Sequence, residues 1–314
     1  MDDYAIPADI PELRFRRGQA EDWPAVAPIV AQTWDGDDYI DEWLWQFWVN
    51  DRAGALIVAT LDEKVAAFGK LSWLGPAEWW MEGLRVDPAH RQRGIARALH
   101  QHMIQVFRES GDGMLRFATG SNNEATHRIA AQTNFRHIMS YRPVIAPAIP
   151  GEDVTALRRL RGSTLEMAAR YLANSPMNRA NRYVEHRWIL HYLTTERLRS
   201  YLRSDDAEVV GWRTADGQLG GIAILLSEYS EVRPSEGEGP EESRPFRMGY
   251  LDAVDDTTLT RMGLALRGLA ATRGYDHVAW KMPLAVGLER LMPVMGFEPE
   301  YDFDVWLFEL PLNP

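Results

Sequence analysis

The stretch RVDPAHRQRGIARALHQHMI gathers Arg91, Arg93 and Arg97 around Gly94, in a chain whose formal net charge is −11. A strand-like run stops at Asp87-Pro88, and an amphipathic run begins at Ile95. The first N–H groups of a helix have no partner inside it, and that end carries roughly half a positive charge. Gly94 permits a positive φ, and Ala96 leaves the first turn uncrowded. The N–H groups of Arg91, Gln92, Arg93, Gly94, Ile95, Ala96 and Arg97 are therefore expected to converge on a nest suited to a pyrophosphate, with the arginines adding charge. The bland reading of the same residues is a solvated, arginine-rich helix start. A Walker loop, G-x-x-x-x-G-K-[ST], and a dinucleotide G-x-G-x-x-G are both absent.

The elements that must hold this turn read as mixed α/β. LRFRRG is a strand, and EDWPAVAPIVAQTW a helix with Asp22 as its expected N-cap. DYIDEWLWQFWVN is a second helix, and ALIVAT, VAAFGKLSWLG and EWWMEGLRV are three strands. Ile95, Leu99, Met103, Val106 and Phe107 recur at helical spacing, with a stop at Gly111. MLRFATG, NNEATHRIAAQT and FRHIMSYRPVI then read as strand, helix and strand, with Asn134 a left-handed C-cap. Pro143, Pro147, Pro150 and Gly151 mark a boundary. Beyond it the plan repeats as a diverged duplication, with GEDVTALRRL echoing AEDWPAVAPI. An Asp-Gly hairpin follows, then an acidic loop, SEGEGPEESRP. A strand, RMGYLDAV, leads into a long helix, and the segment 163–202 reads as extra helix.

Composition bounds the rest. The chain has 314 residues, 46% of them apolar and 25% charged, enough for two soluble domains. With no cysteine, disulfides, thiolate catalysis and cysteine zinc sites are excluded, which fits a reducing cytoplasm. The opening MDDYAIPADIPEL lacks a signal-peptide pattern, and no run nears the ~18 apolar residues that span a bilayer. The expectation is a cytoplasmic protein with no membrane partner. The acidic balance argues against nucleic acid as a partner.

The residues of the turn resemble a known family. MEGLRVDPAHRQRGIARALHQHMI resembles motif A of the GNAT superfamily of N-acetyltransferases, with Arg91, Gly94 and Ala96 matching its central pattern. NNEATHRIAAQTNF resembles the family's next helix, with Asn123 and Phe135 in the matching places. The resemblance covers about residues 13–145 well and 150–310 only as a layout ending in Gly296-Phe297. It implies two tandem GNAT-like domains, each a mixed, mostly antiparallel sheet flanked by helices. Residues 1–146 would hold the acetyl-CoA site, and 147–314 a degenerate half without the pyrophosphate loop. Acetyl-CoA would lie between the strands ending near Val86 and Thr119, with backbone at Leu84, Arg85 and Val86 along its arm and Asn123 on the other side. In the second half YLDAV is followed by DDTTLTRMGLALRG, and acidic residues there repel a pyrophosphate. One acetyl-CoA per chain is expected, and no metal; His186 and His191 stand five apart, poor spacing for one helical metal face.

Acetyl transfer from a thioester needs a neutral amine, an oxyanion stabiliser and a proton for the thiolate. Glu82 lies four residues before Val86 on the same strand, so it is expected to share a face with Leu84 and Val86. In the family this position often carries the base. A backbone N–H near Arg85 would stabilise the oxyanion. The family's usual acid, a Tyr about seven residues after the helix Asn, is replaced by Ala130. His127, one turn earlier, and Tyr141, on the next strand, are the substitutes. Trp34, Trp43, Trp45, Trp48, Trp73, Trp79 and Trp80 form either an aromatic acceptor wall or core. The expected activity is N-acetylation of a small-molecule amine or a peptide by a monomer or homodimer. The alternatives are a non-catalytic acyl-CoA-binding module and a general phosphate-ligand binder.

Overall fold

The computed structural model describes residues 10, 12–33, 38–110, 113–226 and 245–311. Trp34, the stop at Gly111 and most of the acidic loop lie outside them. Contacts divide the chain into two units. Unit 1 comprises Met1–Phe117, Asn123–His137 and Phe308–Pro314; unit 2 comprises Ala118–Asn122 and Ile138–Leu307. The last strand of the chain thus contributes to unit 1, and residues 138–146 to unit 2.

Unit 1 runs β1 (Arg14–Arg17), α1 (Trp23–Ala31), α2 (Glu42–Asn50), β2 (Ala55–Leu61), β3 (Lys64–Gly75), β4 (Glu78–Val86), α3 (Ile95–Glu109), β5 (Met114–Gly120), α4 (Glu124–Gln132) and the start of β6 (Arg136–Pro147). The sheet order is β1-β2-β3-β4-β5, all antiparallel except the β4–β5 pair. Asp41 caps α2 by accepting the Leu44 N–H at 2.8 Å. Asp22 is not the side-chain cap of α1. Its carboxylate turns back instead, accepting the Gln19 N–H at 2.8 Å and a bidentate pair from Arg16 at 2.7 and 2.6 Å. That choice is charge-driven, since a guanidinium fork outcompetes a neutral N–H.

One face of the sheet buries Trp45, Trp48, Val58 and Phe68 beneath α1 and α2, with Trp45 edge-on to Phe68 at 5.4 Å. The other face takes α3, whose Ile95, Leu99, Met103 and Phe107 are buried at the expected spacing. Trp45, Trp48, Trp79 and Trp80 are therefore core, while Trp43 and Trp73 are exposed. Asn134 has φ 63, the left-handed geometry expected of it.

Unit 2 contains β7 (Leu157–Arg159), α5 (Leu165–Asn174), α6 (Pro176–Ala180), β8 (Tyr183–His186), β9 (Ile189–Tyr192), α7 (Thr195–Tyr201), β10 (Ala207–Arg213) and β11 (Leu219–Leu226). There follow β12 (Phe246–Ala253), α8 (Asp256–Thr272), β13 (His277–Pro283), α9 (Met292–Met295), β14 (Glu298–Pro299) and β15 (Val305–Pro311), which passes into unit 1 at Phe308. The unit's sheet order is β6-β13-β12-β11-β10-β7, with β12–β13 parallel.

Two expectations fail in this half. GEDVTALRRL is no echo of a helix: Leu157–Arg159 is a strand pairing with β10, as β1 pairs with β2. Within the segment expected to be helix, β8 and β9 form a hairpin with Tyr183 opposite Tyr192. Its turn, Arg187 and Trp188 at φ 53 and 69, carries none of the Asn-Gly chemistry that signals such turns. Tertiary packing decides it, since the Glu185 carbonyl lies 2.6 Å from where Gly249 would carry a Cβ. His186 and His191 sit on this hairpin, and no group of metal-ligating residues occurs among the described residues. Nor is any described helix long and apolar enough to cross a membrane.

Candidate active site

The turn before α3 is built in two steps. Asp87 accepts the Ala89 N–H at 2.9 Å and holds a short 3-10 turn, Pro88–His90. Gln92 then takes φ 62 and Gly94 φ 81, so two left-handed residues alternate with ordinary ones before the helix starts at Ile95. Such alternation turns successive N–H groups to the same side. The N–H groups of Gln92, Arg93, Gly94, Ile95, Ala96 and Arg97 bond to nothing among the described residues; the helix ladder opens with Ala98 N–H to Gly94 O at 3.0 Å. Arg93 and Arg97 are exposed, and Arg91 reaches back to the Val86 carbonyl at 3.4 Å. Among the described residues nothing but Ile10, 3.9 Å away, approaches a Cβ placed on Gly94, and its dihedral requires glycine.

Pairing of β4 with β5 stops at Trp80 opposite Arg116. From Met81 to Val86 the β4 edge is left unpaired on that side, Leu84, Arg85 and Val86 included. Phe117 on β5 is stacked on Phe308 at 5.0 Å, and Arg116 Nε donates to Glu309 at 2.7 Å, so the end of the chain braces β5. Asn123 caps α4, its Oδ1 accepting the Thr126 N–H at 3.2 Å.

Glu82 does not share a face with Val86. The register places Lys70 opposite Glu82 and Phe68 opposite Arg85, with Gly83-Leu84 facing Gly69 alone. This is a bulge, made by Gly83 at φ 66. It shifts the alternation by one, so Glu82 and Arg85 share the face covered by α2, and Val86 turns to the α3 side. Trp48 lies so close that a Cβ on Gly83 would meet it at 2.6 Å. A glycine inside a strand was the available signal.

Register and bulge together gather charge around Glu82. Ser72 Oγ donates to Glu82 Oε1 at 2.6 Å. Burial raises the Glu82 pKa above the ordinary carboxylate value, with the Ser72 bond and the Lys70 charge opposing it. Arg85 makes a bidentate pair with Asp38, at 2.7 and 3.0 Å, and lies over the Tyr39 ring at 5.6 Å. The Tyr39 ring is half exposed, while its hydroxyl end faces Gly83, Glu82 and Arg85; burial, then the Glu82 charge, pushes its pKa up. Lys70 is fully buried and bound to Asp51 at 2.5 Å, and burial lowers its pKa against that pairing. Tyr39, Ser72, Lys70 and Asp38 were not legible as site residues: the β3–β4 register sets Lys70 and Ser72 beside Glu82, and the bulge turns Arg85, with its partner Asp38, to the same face.

The two substitute acids belong to different units. His127, in unit 1, is half-buried on α4 with its ring 5.6 Å from Phe308. Tyr141, in unit 2, is buried and donates its hydroxyl to Asn181 Oδ1 at 2.9 Å. Ala130 is wholly buried. In unit 2 the helix after β12 opens on two engaged carboxylates: Asp255 accepts the Thr258 N–H at 2.7 Å, and Asp256 pairs with Arg290 at 2.6 Å. Asp252 is buried and accepts bonds from Tyr171, Ser175 and Tyr250, at 2.5, 2.7 and 3.1 Å.

Residues 17–135 match the family model described as acetyltransferase (GNAT) family. No curated protein sequence gives a significant match. Among solved structures the chain resembles a GCN5-related N-acetyltransferase from Sphaerobacter thermophilus, at 16% identity and TM-score 0.64, over 97% of each chain. It resembles a tandem GNAT protein of the clavulanic acid biosynthesis pathway at 15% identity and TM-score 0.56, over 96% of this chain and 99% of that one. It also resembles the glucosamine N-acetyltransferase region of a fungal multi-domain β-N-acetylglucosaminidase, at 13% identity and TM-score 0.66, over 95% of this chain and 38% of that one. Residues 17–135 are thus similar to the GNAT acetyltransferase family, and the chain has the fold of a tandem GNAT protein along its length.

Proposed function

We propose that unit 1 transfers the acetyl group of acetyl-CoA to a primary amine, small molecule or peptide, with Glu82 as the base. The observation that carries the reading is the run of unpaired N–H groups from Gln92 to Arg97, with Arg93 and Arg97 beside them. They would hold the pyrophosphate, and the free β4 edge at Leu84, Arg85 and Val86 would take the pantetheine arm by strand-like bonds. Asn123 would flank the arm from α4.

Glu82 accepts a proton from the acceptor's ammonium, directly or through water. The neutral nitrogen attacks the thioester carbon, and a backbone N–H near Arg85 bonds the developing oxyanion. The C–N bond forms, the C–S bond breaks, and the thiolate departs with the electron pair, its proton coming from the second N–H of the acceptor through solvent. A carboxylate whose pKa is raised by burial suits the first step. Neither His127 nor Tyr141 is needed as acid in this sequence of steps. Unit 2, with Asp255 and Asp256 at the head of α8, would bind no donor, giving one acetyl-CoA per chain. The absence of a membrane-spanning helix among the described residues and the reducing-compartment composition support a cytoplasmic setting.

Thiol release from acetyl-CoA over a panel of amines tests this. Wild type turns over at least one amine, Gly94→Glu raises the KM for acetyl-CoA at least a hundredfold, and Glu82→Gln lowers kcat/KM by about 10²–10⁴. The wholly buried Ala130 favours a second reading, a non-catalytic acyl-CoA-binding module. Tight CoA binding with no acetylation of any amine would establish that one instead.

A further inference from the structure

Unit 1 has a groove at the end of the sheet remote from Gly94. Its floor is laid by the register: Arg17 stands opposite Ile57 on β2, and Trp73 opposite Trp79 across β3 and β4. Val106 and Ser110, in and just after the last turn of α3, form one wall, and Arg52 the opposite rim. The space is about 490 Å³, within the range of small-ligand pockets. Trp73 leaves 47% of its surface exposed over this space, a large ring that the core does not use.

The charges have one sign. Arg17 donates Nη2 to the Gly54 carbonyl at 3.1 Å, which fixes its guanidinium at the groove mouth. Among the described residues Arg52 has no ion pair and no carboxylate lines the groove. The adjacent Asp51 is spent: it accepts from Lys70 at 2.5 Å and from the Ala53 and Gly54 N–H groups at 2.9 and 3.1 Å. In a chain of net charge −11, two guanidinium groups side by side make this groove a locally favourable place for an anion.

We propose that this groove binds a small aromatic carboxylate. Its ring lies on Trp73 and Trp79, and its carboxylate meets Arg17 and Arg52. The polarity is fixed by α3, whose carbonyl end at Ser110 repels an anion from that wall. Two guanidinium groups with no helix N-terminus match a monoanion. The groove is separate from the donor site: Trp79 precedes Val86 by seven strand residues, about 23 Å, and it faces α3 rather than the Glu82 side. The inference therefore stands whether or not unit 1 acetylates amines.

Isothermal titration calorimetry on the full chain at low salt tests it, with indole-3-acetate and its neutral amide as probes. The acetate binds about tenfold more tightly than the amide, and the difference vanishes in Arg52→Gln, an exposed position whose change leaves the fold intact. Trp73→Ala weakens both probes, and saturating CoA leaves acetate binding unchanged. Equal affinities for acetate and amide, an unchanged acetate affinity in Arg52→Gln, or displacement by CoA would each overturn the assignment.

Discussion

Ser72 Oγ donates to Glu82 at 2.6 Å while burial works against the charge, so the carboxylate's proton affinity is a balance of named neighbours. The Ser72 bond lowers the Glu82 pKa, and its loss raises it. A base works only when deprotonated, so the acid limb of the kcat/KM–pH profile lies at the Glu82 pKa. In Ser72→Ala that limb moves to higher pH. A limb that stays in place separates Glu82 from the proton transfer. A second residue sets an acid limit on the fold. His100 is 3% exposed, its Nδ1 has no hydrogen-bond partner among the described residues, and burial lowers its pKa from 6.5 to about 4. In the unfolded chain it protonates as pH falls through 6.5, while in the folded chain it does not until about 4. Its contribution is thus whole above pH 6.5 and is lost on the way down to 4, about 3 kcal/mol in all. His100→Leu flattens that slope, read from urea midpoints at pH 4.5 and 7.

At the scale of elements the bulge in β4 does the most. Gly83 at φ 66 turns Arg85 onto the Glu82 face and lets Trp48 pack where a Cβ would stand. Gly83→Ala should cost about 2–4 kcal/mol, from the left-handed backbone and a displaced Trp48. Activity should fall further than stability, since the Glu82–Arg85 juxtaposition goes with the bulge. A thermal midpoint and a kcat/KM measured on the same sample separate the two. This element also shows what the sequence made legible. Strand β4 and helix α3 were readable, because apolar period and breaker residues at Asp87-Pro88 and Gly94 agree. The face of Glu82 was not, because strand alternation alone does not show that Gly83 breaks it. The β8–β9 hairpin was missed for a different reason: Arg187 and Trp188 turn it against their own preference, held by contacts of Glu185 with Gly249 and Lys281. Such long-range compensation leaves no local mark.

For the whole molecule, chain order and structural unit part company at the end. Phe308 stacks on Phe117 and lies near His127 and His137, and Glu309 pairs with Arg116, all within unit 1. A proline boundary near residue 150 gave no hint of this. A fragment of residues 1–146 lacks that strand end and leaves Arg116, 5% exposed, short of a carboxylate. It should unfold at least 10 °C below the full chain, or not fold, by circular dichroism. Equal midpoints would mean that 308–311 add nothing to unit 1.

The central claim is that the bared amides between Gln92 and Arg97 grip the diphosphate of CoA. Calorimetric titration of CoA into the full chain tests it most directly, without needing an acceptor. The account predicts one CoA per chain for wild type and no measurable binding for Gly94→Glu, with the circular dichroism spectrum unchanged. An affinity that survives Gly94→Glu, or two equivalent sites per chain, would contradict it.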